Sequence, residues 1–596
     1  MENSEDLLKQ HLSTEAIANI KNWLTHKKYE AFRMELEGLI ENEEWQMLED
    51  SFFKVIEFGT GGRRGTTGVG SNRINRVTIG ESAQALCLYA QSIDPDAAAK
   101  GIAIACDTRL SSPELSRYVA EVCAANGFTA YIFDSFRATP ELSFAVRELG
   151  CVAGIVVSAS HNPPADNGFK AYWSDGGQLV APHDKGVMDV VSTIETIDAI
   201  DFDEGVASGK IVIIGKDMDD KYIKAVVNEA EGSARDVSIV YSPLHGAGQT
   251  NVLPVLQAAG FTDISLVEAQ MVPDGNFPTV EGGKPNPEER IANQLAVDQL
   301  LAEKADIAIT NDPDADRIGV IVRQGDAAVY LNGNQSAVLA TEYALRKLKE
   351  RGELTSKHYI AKTIVTTEML TAVANHYDVT TYGDMLIGFK YIGELLLNKE
   401  STDEIFVIGG EESYGLLKGT YARDKDGAAG ALPLAEYAAE LKADGKTLYD
   451  RLIELFGEYG VFSERLDSVS YLGATGFQKM QSIMSQVRAN PPQTVGGEAV
   501  TAVIDYSTAK KTNLSDGSVQ DVPININGNV IVLEFGDARR RVTVRPSGTE
   551  PKLKLYVQWY EDAEQPTNID ALKAQNDALA VKLEQLSKEL ESLLLQ

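Results

Sequence analysis

At 596 residues, with 44% apolar and 24% charged residues and a formal net charge of −32, the chain has the composition of a folded, strongly acidic protein. That balance excludes a disordered chain and argues against nucleic acid or an anionic membrane as partner. No apolar run approaches the ~18 residues of a membrane span, and MENSEDLLKQHL at the N-terminus lacks the apolar core of a secretory signal. The expected compartment is the cytoplasm. Cys87, Cys106, Cys123 and Cys151 lie in apolar stretches without metal-like spacing, which predicts buried thiols in a reducing environment.

In chain order, residues 1–50 predict two or three helices and no catalytic pattern. A strand–loop–helix–strand unit then recurs. IAIACDT (102–108), PELSRYVAEVCAANG and TAYIFD form the first copy; VSIVYSPLHGAG (237–248), NVLPVLQAAG and TDISLVE the second; YIAKTIV (359–365), EMLTAVANHY and DVTTYGD the third. This order is the βαβ pattern, so three similar α/β domains with mainly parallel sheets are expected. From about residue 460, AVTAVIDYS, NVIVLEF, RVTVRPS and KLKLYVQWY are strand-like runs on short turns. They predict a fourth, α+β domain with an antiparallel sheet and a helix from about residue 568. The expected boundaries are 1–50, 51–205, 206–325, 326–455 and 456–596, with four domains arranged around one cleft.

Four segments carry chemistry. CVAGIVVSASHNPPADNGFKAYW (151–173) displays Ser160, His161 and Lys170 on a loop between two strands. The esterase elbow G-x-S-x-G is absent around Ser160, so that reading fails. ADIAITNDPDADRIGVIV (305–322) sets Asp312, Asp314 and Asp316 at alternate positions, a repulsive arrangement that a hard cation relieves. Arg317 and Arg323 stand where a calcium loop needs its glycine and glutamate, leaving magnesium as the best fit, with Arg317 placed to face a phosphate. RVTVRPSGTEPKLKLYV (541–557) offers Arg545, Ser547, Gly548 and Thr549 in a turn suited to a phosphate, with Lys552 or Lys554 adding charge. FVIGGEESYGLLKGTYARDKDG (406–427) supplies Glu411, Glu412 and Ser413, acceptors and a donor for sugar hydroxyls, although glutamates also suit a helix start. His245, in SPLHGAG, reads as a satisfied loop histidine.

Together these segments resemble the α-D-phosphohexomutase family. SASHNP, DPDADR, GEESYG and RPSGTEP occur in that family's order, EFGTGGRRGTTGVGSNRIN (57–75) looks like its N-terminal motif, and IGFKYIG (387–393) like its third-domain loop. The resemblance spans roughly residues 50–560 and is nearest in wording to the long bacterial branch. It implies a phosphoserine at Ser160 and magnesium held by Ser160, Asp312, Asp314 and Asp316. It further implies that Arg64, Lys170 and Arg317 serve the reacting phosphate, with Lys170 as general acid/base and His161 as the alternative. Lys390 and Lys425 would contact substrate, Glu411 and Ser413 the sugar hydroxyls, and Arg545, Ser547, Gly548 and Thr549 the phosphate that is not reacting. The expected activity is interconversion of glucose 1-phosphate and glucose 6-phosphate, with glucose 1,6-bisphosphate as activator; a mannose or pentose phosphate is the alternative substrate, and a phosphatase or a non-catalytic binding protein the competing class. The chain departs from the family at Arg63, where leucine is usual, and at Met385 and Ile387, where threonine is common.

Near the C-terminus, Ile569, Leu572, Asn576, Leu579, Leu583, Leu586, Leu590 and Leu593 form a seven-residue repeat. It predicts either a helix packed on the fourth domain or a short coiled coil, hence a monomer or a homodimer.

Overall fold

The architecture is that of a computed structural model, described over residues 2–57, 62–471, 473–524, 527–547 and 552–594. The N-terminal segment holds four α-helices, Glu2–His11, Thr14–Thr25, Arg33–Glu41 and Trp45–Phe52, one or two more than expected because short caps divide them. Ser13, for example, accepts from the Ala16 N–H and starts the second. They enclose a small core of their own, in which Trp23 stacks on Tyr29 with ring centroids 4.3 Å apart and Leu36, Leu48 and Phe52 are buried.

The first sheet contains β1 (Arg63–Thr66), β2 (Ile102–Cys106), β3 (Ala130–Phe133), β4 (Ala153–Val157), β5 (Asp166–Trp173) and β6 (Ile211–Ile214), in the order β1-β5-β4-β2-β3-β6. The second contains β7 (Ile239–Ser242), β8 (Ile264–Leu266), β9 (Ile307–Thr310), β10 (Gly319–Gln324) and β11 (Ala327–Leu331), in the order β11-β10-β9-β7-β8. The third contains β12 (His358–Thr363), β13 (Thr380–Met385), β14 (Ile405–Glu411) and β15 (Gly415–Lys418), in the order β13-β12-β14-β15.

One unit underlies all three: β3-β2-β4-β5, β8-β7-β9-β10 and β13-β12-β14-β15. Three strands run parallel and the last returns antiparallel as a hairpin. The three sheets are therefore mixed. In every copy the functional segment is the hairpin tip, at the carboxyl end of a parallel strand, where open α/β sheets bind their ligands.

Three elements lie across or beside the expected boundaries. β6 pairs in parallel with β3, so the first sheet continues to Ile214, past the boundary expected at 205. β11 extends the second sheet to Leu331, past 325, and helix Leu448–Tyr459 runs through the boundary expected at 455. Short edge strands carry too few alternating residues to be assigned to a sheet from periodicity.

The fourth sheet is antiparallel throughout: β16 (Val461–Ser470), β19 (Ala502–Asp505), β20 (Lys510–Asn513), β21 (Val519–Asp521), β22 (Ile531–Phe535), β23 (Asp537–Pro546) and β24 (Lys552–Glu561), in the order β16-β24-β23-β22-β19-β20-β21, with the small pair β17 (Thr494–Val495) and β18 (Glu498–Ala499) apart from it. Helix Ile569–Leu594 lies on this domain. Leu572, Leu579, Leu583, Leu586 and Leu590 of the heptad stripe are buried in its core, which overturns the coiled-coil alternative. The four cysteines are buried free thiols, as expected. Among the described residues no helix is long and apolar enough to cross a membrane.

Candidate active site

The serine hairpin β4–β5 and the aspartate hairpin β9–β10 meet at their tips. Ser160 is 2% exposed, and its Oγ donates to Asp312 Oδ2 at 2.6 Å and lies 3.2 Å from His161 Nδ1. Ser160 has φ +51°, a left-handed conformation that a serine adopts only when its surroundings hold it there. The Ser158 hydroxyl supplies part of that hold by accepting the Ser160 N–H at 2.8 Å.

Asp312, Asp314 and Asp316 are buried, and one carboxylate oxygen from each lies within 4.8 Å of the others. Asp314 Oδ1 and Asp316 Oδ1 are enclosed without a hydrogen-bond partner. Burial, with Asp316 and Asp314 beside it, pushes the Asp312 carboxyl well above the usual carboxylate range. Burial acts in the same sense on Asp314, but Lys170 and the Thr139 hydroxyl outweigh it and hold that carboxyl low. Three concentrated acids with enclosed spare oxygens are a donor set for a hard divalent cation.

Cations surround the triad. Lys170 Nζ pairs with Asp314 Oδ2 and stands 3.4 Å from Asp316 Oδ2. Lys425 Nζ reaches Asp316 Oδ2 at 2.8 Å. Arg317 pairs with Glu288, and its Nε lies 3.9 Å from Asp316 and 4.0 Å from Asp312. The His161 imidazole is held neutral by burial and by the positive charge of Arg317 and Arg64.

The third hairpin closes on the second. Ile318 N–H donates to Tyr414 C=O at 2.9 Å, and Gly427 N–H to Ala315 C=O at 3.0 Å. The GEESYG loop thereby abuts the aspartate loop. Glu411 Oε1 accepts the Gly388 N–H at 3.0 Å; burial, opposed by Lys425 and reinforced by Glu412, moves its pKa up to about 7. Ser413 occupies the turn between β14 and β15.

Not every expected residue joins this centre. Lys390 is buried beside Asp184 of the first domain, at 3.6 Å, without a contact to the triad. Arg64 stands on β1 opposite Gly168, two residues before Lys170. Arg545 lies at the carboxyl end of β23 and Ser547 just beyond it, with Arg545 near enough to Glu412 to act on its protonation. Gly548 and Thr549, like 58–61 of the N-terminal motif, fall outside the described residues.

The departures have physical reasons. Arg63 is buried, donates to Thr78 C=O at 2.8 Å, and faces Glu81 at 3.6 Å; Glu81 in turn pairs with Lys28 of the N-terminal helices at 2.7 Å. The long arginine thus joins an extension that a leucine would leave unbound. Met385 and Ile387 pack into apolar clusters, as hydroxyl-bearing residues would not. His245 is satisfied at both ring nitrogens, by Val272 C=O and Thr279 Oγ1, each at 2.8 Å.

Two site residues escaped the sequence reading. Thr139 donates its hydroxyl to Asp314 Oδ2 at 2.6 Å and its N–H to Asp314 C=O at 2.9 Å. Arg109 donates to the Ser160 carbonyl at 2.6 Å. Their position just beyond the carboxyl ends of β2 and β3 was the available signal.

Family comparisons decide what this arrangement belongs to. Models described as phosphoglucomutase/phosphomannomutase alpha/beta/alpha domains I, II and III match residues 55–198, 220–325 and 332–459, and the C-terminal domain matches 508–576. Phosphoglucomutases of Staphylococcus aureus strains MSSA476 and USA300 are 35% identical over 515 residues, covering 85% of this chain and 90% of theirs.

The chain belongs to the phosphoglucomutase/phosphomannomutase family.

Solved members share the family fold at lower identity. Parafusin from Paramecium, a phosphoglucomutase crystallised in an open form, aligns at TM-score 0.63 and 16% identity over 90% of this chain and 98% of that one. A family protein from Burkholderia thailandensis aligns at TM-score 0.62 and 18% identity, with the same coverage. The family's four-domain plan is the one described above, and its metabolic enzymes are isomerases of sugar phosphates.

Proposed function

We propose that the chain is a phosphoglucomutase that interconverts glucose 1-phosphate and glucose 6-phosphate through a phosphoserine at Ser160 and a bisphosphate intermediate. The observation that carries this reading is the contact of Ser160 Oγ with Asp312 at 2.6 Å, inside a buried acid triad ringed by Lys170, Lys425 and Arg317. The name of the Staphylococcus relatives favours glucose over mannose or a pentose as the sugar. The acidic charge and the absence of a spanning helix among the described residues fit a cytoplasmic enzyme of small anionic substrates.

Each transfer needs a nucleophile, an acid and a base. Phosphorylated Ser160 first gives its phosphoryl group to the free hydroxyl of the sugar monophosphate: the Oγ–P bond breaks and a sugar O–P bond forms. The freed Oγ then attacks the other phosphorus of the bisphosphate; the Oγ–P bond re-forms and that sugar O–P bond breaks. The serine proton has two acceptors in reach, Asp312 and the neutral His161. Lys170, paired with Asp314 and Asp316, takes the proton of the accepting sugar hydroxyl in the first transfer and donates to the departing sugar oxygen in the second. Ser160 with Asp312, Asp314 and Asp316 would hold magnesium, which when bound supplies positive charge to the transferring group.

The bisphosphate carries roughly −3 to −4 at neutral pH. Arg64 and Arg317 serve its reacting end, while Arg545, Ser547, Gly548 and Thr549 receive the other. Glu411 and Ser413 bind the hydroxyls between, with Lys390 and Lys425 as further contacts. Glucose 1,6-bisphosphate reloads Ser160 when the intermediate escapes, which makes it an activator. A coupled assay with glucose, mannose and ribose 1-phosphates tests the reading: glucose 1-phosphate is expected to turn over fastest, and no turnover of any of the three overturns it.

A further inference from the structure

We propose that Arg109 is the positioning residue of the serine loop, the group that holds Ser160 in the conformation from which it carries phosphate. The proposal rests on the reading of Ser160 as the phosphate carrier. Arg109 follows β2, in CDTRLSS, and is 1% exposed. Asp107 anchors it: the carboxylate accepts from Arg109 Nε at 3.1 Å and from its backbone N–H at 3.0 Å, and is itself fixed by the Ser112 hydroxyl at 2.6 Å.

From that anchor the guanidinium donates to four carbonyls of the serine hairpin. Nη2 reaches Ser160 at 2.6 Å and Asn162 at 2.5 Å; Nη1 reaches Pro163 at 2.6 Å and Asp166 at 2.8 Å. With Nε on Asp107, every donor of the fork is used, and a lysine with three donors on one atom cannot reproduce it. Two consequences follow from this geometry. The left-handed backbone at Ser160 is over-determined, so its conformational cost is met by contacts outside the residue. The four carbonyl dipoles are also turned onto a cation and away from the place a phosphoryl dianion must occupy.

The same residue touches the second domain. Its guanidinium lies over the Phe277 ring, 5.3 Å from the centroid, and a Cβ added to Gly275 would stand 2.7 Å from Arg109 Cα. Arg109 is thereby fixed against the domain that supplies Asp312. The fold does not depend on it in the same way, because β4 and β5 keep their own ladder and β5 is paired again with β1.

The test compares Arg109→Met and Arg109→Lys with wild type in the full chain. Thermal unfolding, steady-state kinetics with glucose 1-phosphate, and the rate at which glucose 1,6-bisphosphate phosphorylates Ser160, read by intact mass, are measured for each. Both variants are expected to stay folded with KM within about threefold, while kcat and the phosphorylation rate fall about 100-fold, lysine faring no better than methionine. General loosening would move KM and melting without singling out the phosphorylation step. A phosphorylation rate for Arg109→Met within about threefold of wild type, or a loss confined to KM, overturns the proposal. If Arg109→Met does not fold, Asp107→Asn keeps the guanidinium but weakens its anchor; about a tenfold slower phosphorylation is expected, and an unchanged rate is the overturning result. Wild type that never accepts phosphate on Ser160 would overturn the mutase reading itself, and this proposal with it.

Discussion

Ser160 and Asp312 are 152 positions apart in the chain, yet Oγ of one donates to Oδ2 of the other at 2.6 Å. Neither hairpin requires the contact for its own folding; the docking of the first two domains creates it. Thr139 sets the alignment, because both its hydroxyl and its N–H engage Asp314. The distance between Ser160 and the acid triad is therefore a property of a domain interface, and the proposed chemistry is sensitive to anything that shifts it.

Ser160→Ala is expected to lower mutase turnover by at least about four orders of magnitude, since no neighbouring hydroxyl replaces the covalent carrier. Intact-mass analysis of active wild type should show one phosphate on the peptide containing Ser160. Wild-type turnover by the alanine variant would end the phosphoserine mechanism.

Removal of divalent cations by chelation should abolish turnover, and magnesium should restore it. Asp314→Ala should bind magnesium too weakly for restoration at physiological concentrations, because it deletes a ligand and frees Lys170 to pair with Asp316. Calorimetric titration of both proteins with magnesium checks this, and equal affinities would refute the assignment of the triad.

Glu411 introduces a pH dependence. Its carboxyl titrates at about 7 in the folded protein, chiefly because burial disfavours the charge. A folded-state pKa above the unfolded value means that its contribution to stability is present in acid and lost as pH rises from the ordinary glutamate range through about 7. As the ionised acceptor of sugar hydroxyls, Glu411 should add a limb to kcat/KM that rises through the same pH. Glu411→Gln is expected to remove that limb and leave only the ionisation of the substrate phosphate, near pH 6. A profile unchanged in the variant would count against the role.

The C-terminal helix is expected to act as part of the fourth domain. Leu583→Ala should cost about 2–5 kcal/mol in chemical denaturation, the range for truncating a buried leucine. Deletion of residues 568–596 should unfold that domain, observed as lost near-ultraviolet dichroism, with no folded species of half the mass in light scattering. A folded, lighter species would restore the coiled-coil reading.

Much of the site was legible in the letters because its residues come in short runs at hairpin tips. The alternating acids of DPDADR and the serine of SASHNP each lie within one turn between two strands, so sequence neighbours are also neighbours in space. Arg109 and Thr139 were not legible, because each acts on a residue from another strand or another domain and neither carries a repeated pattern. Lys390 was recognisable by its motif, but its neighbour was not: Asp184 of the first domain lies 3.6 Å from it.

The features readable from the letters are local and periodic: three βαβ units, an antiparallel fourth sheet, the hairpin loops and a leucine stripe in the last helix. Alternation and turn chemistry act over a few residues, so they can be read without knowing what lies across the space. What those surfaces meet is fixed by packing across long sequence separations. A heptad stripe presents the same apolar face to a second copy and to the chain's own sheet, and burial of Leu572, Leu583 and Leu590 in the fourth domain settles the partner. The left-handed backbone of Ser160 likewise is not set by its local sequence alone, since a serine avoids that conformation; beyond the local Ser158 contact, carbonyls of its loop converge on one buried guanidinium and its hydroxyl on Asp312.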